Sequence, residues 1–404
     1  AAIAADKAEE PSGERPAEKT GENAIDKTPE DGQRTDNASS SALRVTPHLD
    51  FYYSWNFNEP FPPTAMNSTT VSTATMPLAN SPLRTYDGYH NQFSLALAEI
   101  TVEKSFGSTS LLADFDFGHT ADFNARVGRG PSRIIDPTRH VDESSKHIGQ
   151  ALVRWAPPGT PGLEFEAGKM LTHMGIETYK ARDNWHYSRG LIYGFGLPKW
   201  HTGIRAGYAP DPSWSALLAL YNGWDEFFDA NAAKTLGAKL TWNPADNFRV
   251  GYAFIGGAEQ DNESMNQRHV HELNIVWRDP TGFALALDSI YGFEQNVAVS
   301  GMNRDLVTWS GWALHGEWRL SDWYHVNPRL EWYNDNHGAT LGNGEQKVWS
   351  ATITEVYRFA DGIHPRVELR YDKTSADGTL SRKGAAVTDQ VTFTLALVYA
   401  PGTF

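Results

Sequence analysis

The sequence predicts an all-β protein: a transmembrane antiparallel β-barrel of about 16 strands, with short turns at one rim, long loops at the other and a disordered N-terminal tail. Three observations lead there. Apolar and polar residues alternate with period two in segments of about ten residues, as a strand with one apolar and one polar face requires. Tight turns and long polar stretches take turns along the chain, which is the connectivity of an outer-membrane barrel. No run of roughly 18 apolar residues occurs, which excludes a helical membrane protein.

The first 43 residues stand apart. They hold no aromatic side chain and only Ile3, Ile25 and Leu43 as large aliphatics, among ten acidic and five basic residues. Such a segment cannot bury enough surface to offset its ordering entropy, so 1–43 reads as a disordered acidic tail, either a spacer or a contact for a periplasmic or cell-envelope partner. The Ala-rich start, AAIAADKAEE, reads as the stretch just after a signal-peptide cleavage site. The barrel domain is then 44–404.

From Arg44 the strand segments are 44–57, 91–104, 109–121, 147–156, 162–172, 200–209, 213–222 and 234–243, followed by 247–257, 267–278, 282–294, 306–319, 323–334, 346–359, 363–373 and 387–400. Leu49, Phe51, Tyr53 and Trp55 alternate with His48, Asp50, Tyr52 and Ser54 in the first, and Leu111, Ala113, Phe115 and Phe117 with Asp114 and Asp116 in the third. The same alternation runs through Phe248, Val250, Tyr252 and Phe254, through Leu273, Ile275 and Trp277, and through Val391, Phe393, Leu395, Leu397 and Tyr399. Seven connections are tight turns built on Pro, Gly, Asp or Asn, at 106–108, 157–162, 210–212, 243–246, 279–282, 320–322 and 360–362. Eight are long: 59–84, 123–146, 174–199, 223–233, 257–266, 295–305, 335–344 and 374–386. Sixteen strands give the even count of a bacterial barrel with both ends at the short-turn, periplasmic rim. A further candidate strand at 188–196 would break that parity and is assigned to an extracellular loop folding back into the lumen. Sixteen strands leave room for an aqueous channel.

Charges at mid-strand must face water, since one aimed at mid-membrane lipid costs about 2–4 kcal/mol. The alternation therefore turns Asp114, Asp116, Arg154, Arg249, Glu272, Arg329, Arg366 and Arg370 toward the lumen. Aromatics gather at segment ends, where interfacial girdles belong: Trp155, Trp200, Tyr208, Trp214, Trp242, Trp277, Trp318, Trp323, Trp332 and Tyr399. Aromatics total 12% of the chain, too many for a disordered protein. Cysteine is absent, which removes disulfides, thiolate metal sites and Cys nucleophiles together. The net charge of −14 argues against nucleic acid as a partner.

The stretches LDFYYSWNFNEP, LRTYDGYHNQFSLALAEITVEK, GIETYKARDNWHYSRGLIYGFGLPKWHTGIRAGY and YNGWD resemble the OmpL-like family of putative β-barrel porins of Gram-negative outer membranes, over essentially all of 44–404. That resemblance implies a general pore. It also admits a second reading, a barrel that sheathes or anchors a partner such as an electron-conduit cytochrome or a cell-envelope component. The terminal Phe404 resembles the aromatic assembly signal of such barrels, although the alternation through Tyr399 is out of phase with it, so Pro401 and Gly402 must introduce a bulge or a frayed end.

The expected function is passive diffusion of small hydrophilic solutes or ions, in a protein integral to the bacterial outer membrane with a periplasmic N-terminus. Outer-membrane lipid and lipopolysaccharide would surround it, and barrels of this size are commonly homotrimers. Selectivity is expected at the loop 174–199, where Glu177, Lys180, Arg182, Asp183 and Arg189, with Arg205 just beyond, could set a transverse field against an acidic wall or pair locally to fix the loop. No enzymatic activity, cofactor or metal is expected. His186 and Ser188 share a strand face, but nucleophilic serine chemistry also needs an orienting group and oxyanion donors in register. His269 with His271, and the acidic Asp225, Glu226 and Asp229, supply too few placed ligands for a specific metal site.

Overall fold

A computed structural model describes residues 42–60, 81–126, 145–299, 301–342 and 344–401. The acidic tail up to Ser41 and the terminal Phe404 lie outside the described residues. Strands β1 (Arg44–Asn56), β2 (Gln92–Phe106), β3 (Thr109–Phe117), β4 (Ile148–Trp155), β5 (Leu163–Leu171), β6 (Trp200–Asp211), β7 (Trp214–Tyr221) and β8 (Thr235–Ala245) form one half of the wall. The other half is β9 (Phe248–Gln260), β10 (Glu263–Arg278), β11 (Phe283–Val299), β12 (Met302–Ser321), β13 (Tyr324–Asp335), β14 (Gln346–Tyr357), β15 (Ile363–Thr374) and β18 (Asp389–Tyr399). Each strand pairs antiparallel with its neighbour, and β18 closes on β1 through Asp50↔Val398 and Trp55↔Phe393. The wall is thus a closed antiparallel barrel of sixteen strands with no open edge. Two short strands, β16 (Leu380–Arg382) and β17 (Ala385–Val387), form a separate hairpin in the last long loop.

The period-two pattern explains the wall. Leu111, Phe115, Phe117, Leu218, Leu240 and Leu369 are exposed on the outer surface, while their neighbours Asp114, Asp116, Leu217, Thr241 and Arg370 point inward and are buried. Aromatics band the short-turn rim, with ring pairs Trp155–Phe165 at 5.6 Å, Tyr208–Trp214 at 5.7 Å and Phe283–Trp318 at 5.6 Å. A second band follows the long-loop rim, with Phe51–Phe93 at 5.9 Å and Trp332–Trp349 at 6.2 Å. Two girdles flanking an apolar belt are what a barrel needs to sit in a bilayer. Trp200 belongs to neither. It is buried facing inward, with the Lys169 ammonium 4.1 Å from its ring, because its strand begins at the loop that enters the lumen.

Three boundaries differ from the sequence reading. The third strand stops at Phe117 and helix α1 (His119–Arg126) follows, after Gly118 turns the chain with φ +103° against the carbonyl of Ala96. The stretches 257–266 and 295–305 are not open loops. There β9 pairs with β10 up to Gln260↔Glu263, and β11 with β12 up to Val299↔Met302, so these strands rise above the rest of the wall.

The interior is the larger departure. Side chains from the long loops, Leu83, Leu191, Ile192, Phe195 and Leu197, pack with inward-facing Leu217, Ile255, Ile290 and Trp309 into an apolar core inside the lumen. Wall alternation alone could not announce it, because its loop half carries no strand period.

Candidate pore constriction

The loop between β5 and β6 leaves the rim at Thr172 and crosses the lumen before Trp200 rejoins the wall. Its residues from Lys180 to Lys199 are mostly buried. No regular helix or strand orders it; a 3-10 turn at Ala181–Asp183 and a π turn at Ile192–Gly196 do, together with contacts to opposite walls.

On one side, Lys180 Nζ lies 2.8 Å from Glu99 on β2 and 2.6 Å from Asp114 on β3, and Arg182 lies 2.6 Å from Glu99. Tyr179 donates its hydroxyl to Asp116 at 2.8 Å. Burial alone would lower the Lys180 pKa, but the carboxylates of Asp114 and Glu99 raise it above the ordinary lysine value. Asp183 sits beside Arg182 at 3.7 Å and is the more exposed of the two.

Across the lumen, Glu177 pairs with Arg329 on β13 at 2.8 Å and accepts the Gly190 amide at 2.8 Å. Burial raises the Glu177 pKa, and the Arg329 guanidinium opposes that rise. Arg329 also donates to the Ser188 carbonyl at 2.8 Å and pairs with Glu331 at 2.9 Å. Glu368 on β15 accepts the Tyr187 amide at 2.8 Å, and the Tyr187 hydroxyl reaches Asp50 on β1 at 2.8 Å. Gly175 donates its amide to both oxygens of Glu272 at 2.9 Å. At Gly190 a Cβ would stand 2.5 Å from the Glu331 carboxylate and 2.8 Å from that of Glu177, so a larger residue there would displace both side-chain ends.

Of the residues marked out from sequence, Glu177, Lys180, Arg182, Asp183 and Arg189 therefore lie within one docked loop. Arg189 is spent inside it, donating to the Tyr187 carbonyl at 2.7 Å and to those of Thr178 and Tyr179, with its guanidinium 5.0 Å from the Tyr86 ring. Arg205 stands elsewhere, on the β6 wall, where it and Arg154 share Glu166. The wall charges Asp114, Asp116, Arg154, Glu272, Arg329, Arg366 and Arg370 all face inward and are buried, and Arg249 faces inward half-buried near the short-turn rim.

Two groups escaped the sequence reading. Glu99 pairs with His48 just past the β1–β2 register shift at Ala96, where Ala96 and Leu97 both turn inward and the alternation of β2 changes phase. Arg84 and Asp87 belong to a second inward segment, pairing with each other while Arg84 also reaches Glu368 at 3.6 Å. Nothing in that segment has strand period.

His186 and Ser188 are turned to separate partners. His186 Nδ1 meets Thr354 Oγ1 at 3.1 Å, and the Ser188 hydroxyl lies 3.2 Å from Arg329 and 3.4 Å from Arg370. His269 and His271 point outward among Phe254 and Phe293, with His271 Nδ1 2.7 Å from the Tyr252 hydroxyl. Asp225 accepts the Trp200 amide at 3.1 Å, Glu226 the Ala230 amide at 3.2 Å, and Asp229 pairs with Lys234. Among the described residues no three His, Asp or Glu side chains are grouped to hold a metal ion.

Comparison with solved structures finds the same fold in an anion-selective porin from Comamonas acidovorans, at 10% identity and a TM-score of 0.56 over 89% of this chain and all of that one. OprB of Pseudomonas putida is similar at 10% identity and a TM-score of 0.54, over 94% of this chain and 99% of that one. In-vitro folded OmpT of Vibrio cholerae, in its trimer form, is similar at 9% identity and a TM-score of 0.53, over 90% of this chain and all of that one. Comparison with curated proteins gave no match. The model of one family, putative beta-barrel porin-2, OmpL-like, matches residues 42–400, and the chain belongs to that family.

Proposed function

We propose that the protein is an outer-membrane porin that passes small hydrophilic solutes or ions by diffusion, with its bore set by the docked loop 174–199. One observation carries the reading: inside a closed, outwardly apolar barrel, a single loop is tied to opposite walls, through Lys180 to Glu99 and Asp114 and through Glu177 to Arg329. A loop held in that way narrows the lumen and lines the remaining path with charge, which sorts solutes by size and sign. Family membership supports the same reading. Diffusion through the barrel calls on no catalytic group, cofactor or metal.

The sheath reading is not favoured. A barrel that houses a partner needs an empty lumen, and here Leu83, Ile192, Phe195 and Leu197 of the chain's own loops occupy it. The proposal extends to a homotrimer embedded in outer-membrane lipid and lipopolysaccharide, supported by the trimer form of a neighbour with the same fold. The acidic tail, at the periplasmic end of β1, is proposed as a spacer or envelope contact.

The test is single-channel recording of the purified protein in a planar lipid bilayer under a KCl gradient. Stable steps with a reversal potential away from zero are expected. Arg182→Ala, which leaves Glu99 one cation short, is expected to move that potential toward cation preference. A folded, heat-modifiable barrel that never conducts would sink the proposal.

A further inference from the structure

We infer that Arg366, beneath the docked loop on its periplasmic side, forms a binding site for a small oxyanion. The inference rests on the porin reading, since the anion would arrive through the lumen. It starts from a contrast between arginines. Every other buried arginine that faces the lumen from the wall has a carboxylate partner: Arg154 and Arg205 have Glu166, Arg268 has Glu294, Arg329 has Glu177 and Glu331, and Arg370 has Asp372. Arg366 is 3% exposed, donates one bond from Nη1 to the His186 carbonyl at 2.9 Å, and has a buried Nε with no partner. Among the described residues it makes no ion pair. Asp50 and Glu368 act on it only through space, without a hydrogen bond to it, so part of the cost of burying the guanidinium stands, and a bound anion on its Nε edge removes it.

The surroundings suit such a ligand. In the register Arg366 is level with Ala396 of β18 and Tyr52 of β1, and one step toward the periplasm His364, Val398 and Asp50 form the next inward row. His48 follows on β1, with both ring nitrogens buried and without a hydrogen bond, Nδ1 lying 4.0 Å from Glu99. From the loop, His186 brings an unpartnered Nε2, and its ring stands 5.4 Å from His315, whose Nδ1 is also unpartnered. A neutral imidazole offers one N–H, so the His48 and His186 rings, both near enough to feel the Arg366 charge, bring donors to the same part of the lumen as its Nε edge, the edge that pairs with oxyanions. Two carboxylates face the same space. Glu368 is occupied by the Tyr187 and Ser188 amides and the Thr354 hydroxyl. Asp50 has one oxygen on the Tyr187 hydroxyl and the other without a partner, ready to accept from a hydroxyl on the same solute.

Carboxylate solutes and free inorganic phosphate share this chemistry, and calorimetry separates them. Full-length protein, folded in detergent in a zwitterionic buffer, is titrated with acetate, lactate and inorganic phosphate, and the thermal midpoint is read with each. At least one is expected to give saturable heat and to raise the midpoint. Arg366→Gln should weaken that binding at least about tenfold and lose the rise, as removal of a charged hydrogen-bond donor implies; Arg366→Lys should keep part of both. Binding of acetate or lactate without phosphate identifies a solute carboxylate, and the reverse identifies free phosphate. Heat-modifiable migration on gels confirms that each variant is folded, and Arg366→Lys serves alone if Arg366→Gln is not. No saturable heat with any of the three, or variant binding equal to wild type, overturns the site. Current in a bilayer without anion binding leaves the porin reading standing and removes this one; anion binding without current does the opposite.

Discussion

Arg329 is the residue on which the loop turns. It pairs with Glu177 of the loop and Glu331 of its own strand and donates to the Ser188 carbonyl, all within 2.9 Å. Removing one member of a buried charge network leaves its partners uncompensated, so Arg329→Ala should cost about 3 kcal/mol, read as a lowered unfolding midpoint in detergent. An unchanged midpoint would show that the network does not hold the loop. Lys180 makes the matching prediction in pH. Its folded pKa is raised by Asp114 and Glu99, so its contribution to loop docking is complete below the ordinary lysine pKa and fades only as pH climbs past it toward the folded value. Conductance should therefore hold steady from neutral pH through mild alkali, and a loss of closure before the lysine range would contradict the assignment. Which charges face inward was legible from alternation, as Asp114, Arg329 and Arg370 show. Which charge meets which was not, because Lys180 finds Asp114 across 66 residues and Arg329 finds Glu177 across 152.

At the scale of elements, the sixteen wall strands were legible because a lipid-facing strand must alternate along its whole length. The ends were less so. Helix α1 has the mixed polar sequence HTADFNAR, which carries no apolar stripe, and the raised hairpins of β9–β10 and β11–β12 leave the membrane, where alternation no longer has to hold. The turns were legible from their chemistry. Asp279 accepts both the Thr281 amide at 2.7 Å and the Thr281 hydroxyl, which together hold its carboxyl below the usual range. One strand glycine gives a sharp test. Gly168 in β5 has φ +138°, and a Cβ there would stand 2.1 Å from the Ala151 carbonyl oxygen and 2.8 Å from the Leu152 Cα. Both atoms are backbone and cannot rotate away. Gly168→Ala should therefore destabilise the barrel by about 1–3 kcal/mol, measured by denaturant unfolding in detergent; a neutral effect would mean that the β4–β5 pairing differs from the one described.

The molecule as a whole joins two environments that a water-soluble protein reverses. Its outer surface is apolar, its inner wall is charged, and its own loops build a core within the lumen. The sequence shows the first two, since both follow from wall alternation. Of the third it shows only that the loop near 174–199 turns inward, and it hides the apolar core, since loops that pack against an inner wall obey no period. On the proposed reading that third feature sets the selectivity, because a barrel of sixteen strands is wide by default and becomes selective only when something narrows it. The most direct measurement is single-channel conductance of the intact protein beside a version in which residues 178–190 are replaced by a short Gly-Ser link. Small steps in the intact protein and steps several times larger in the shortened one are the predicted result. Equal conductance in the two would show that the loop does not set the bore, and would contradict the account.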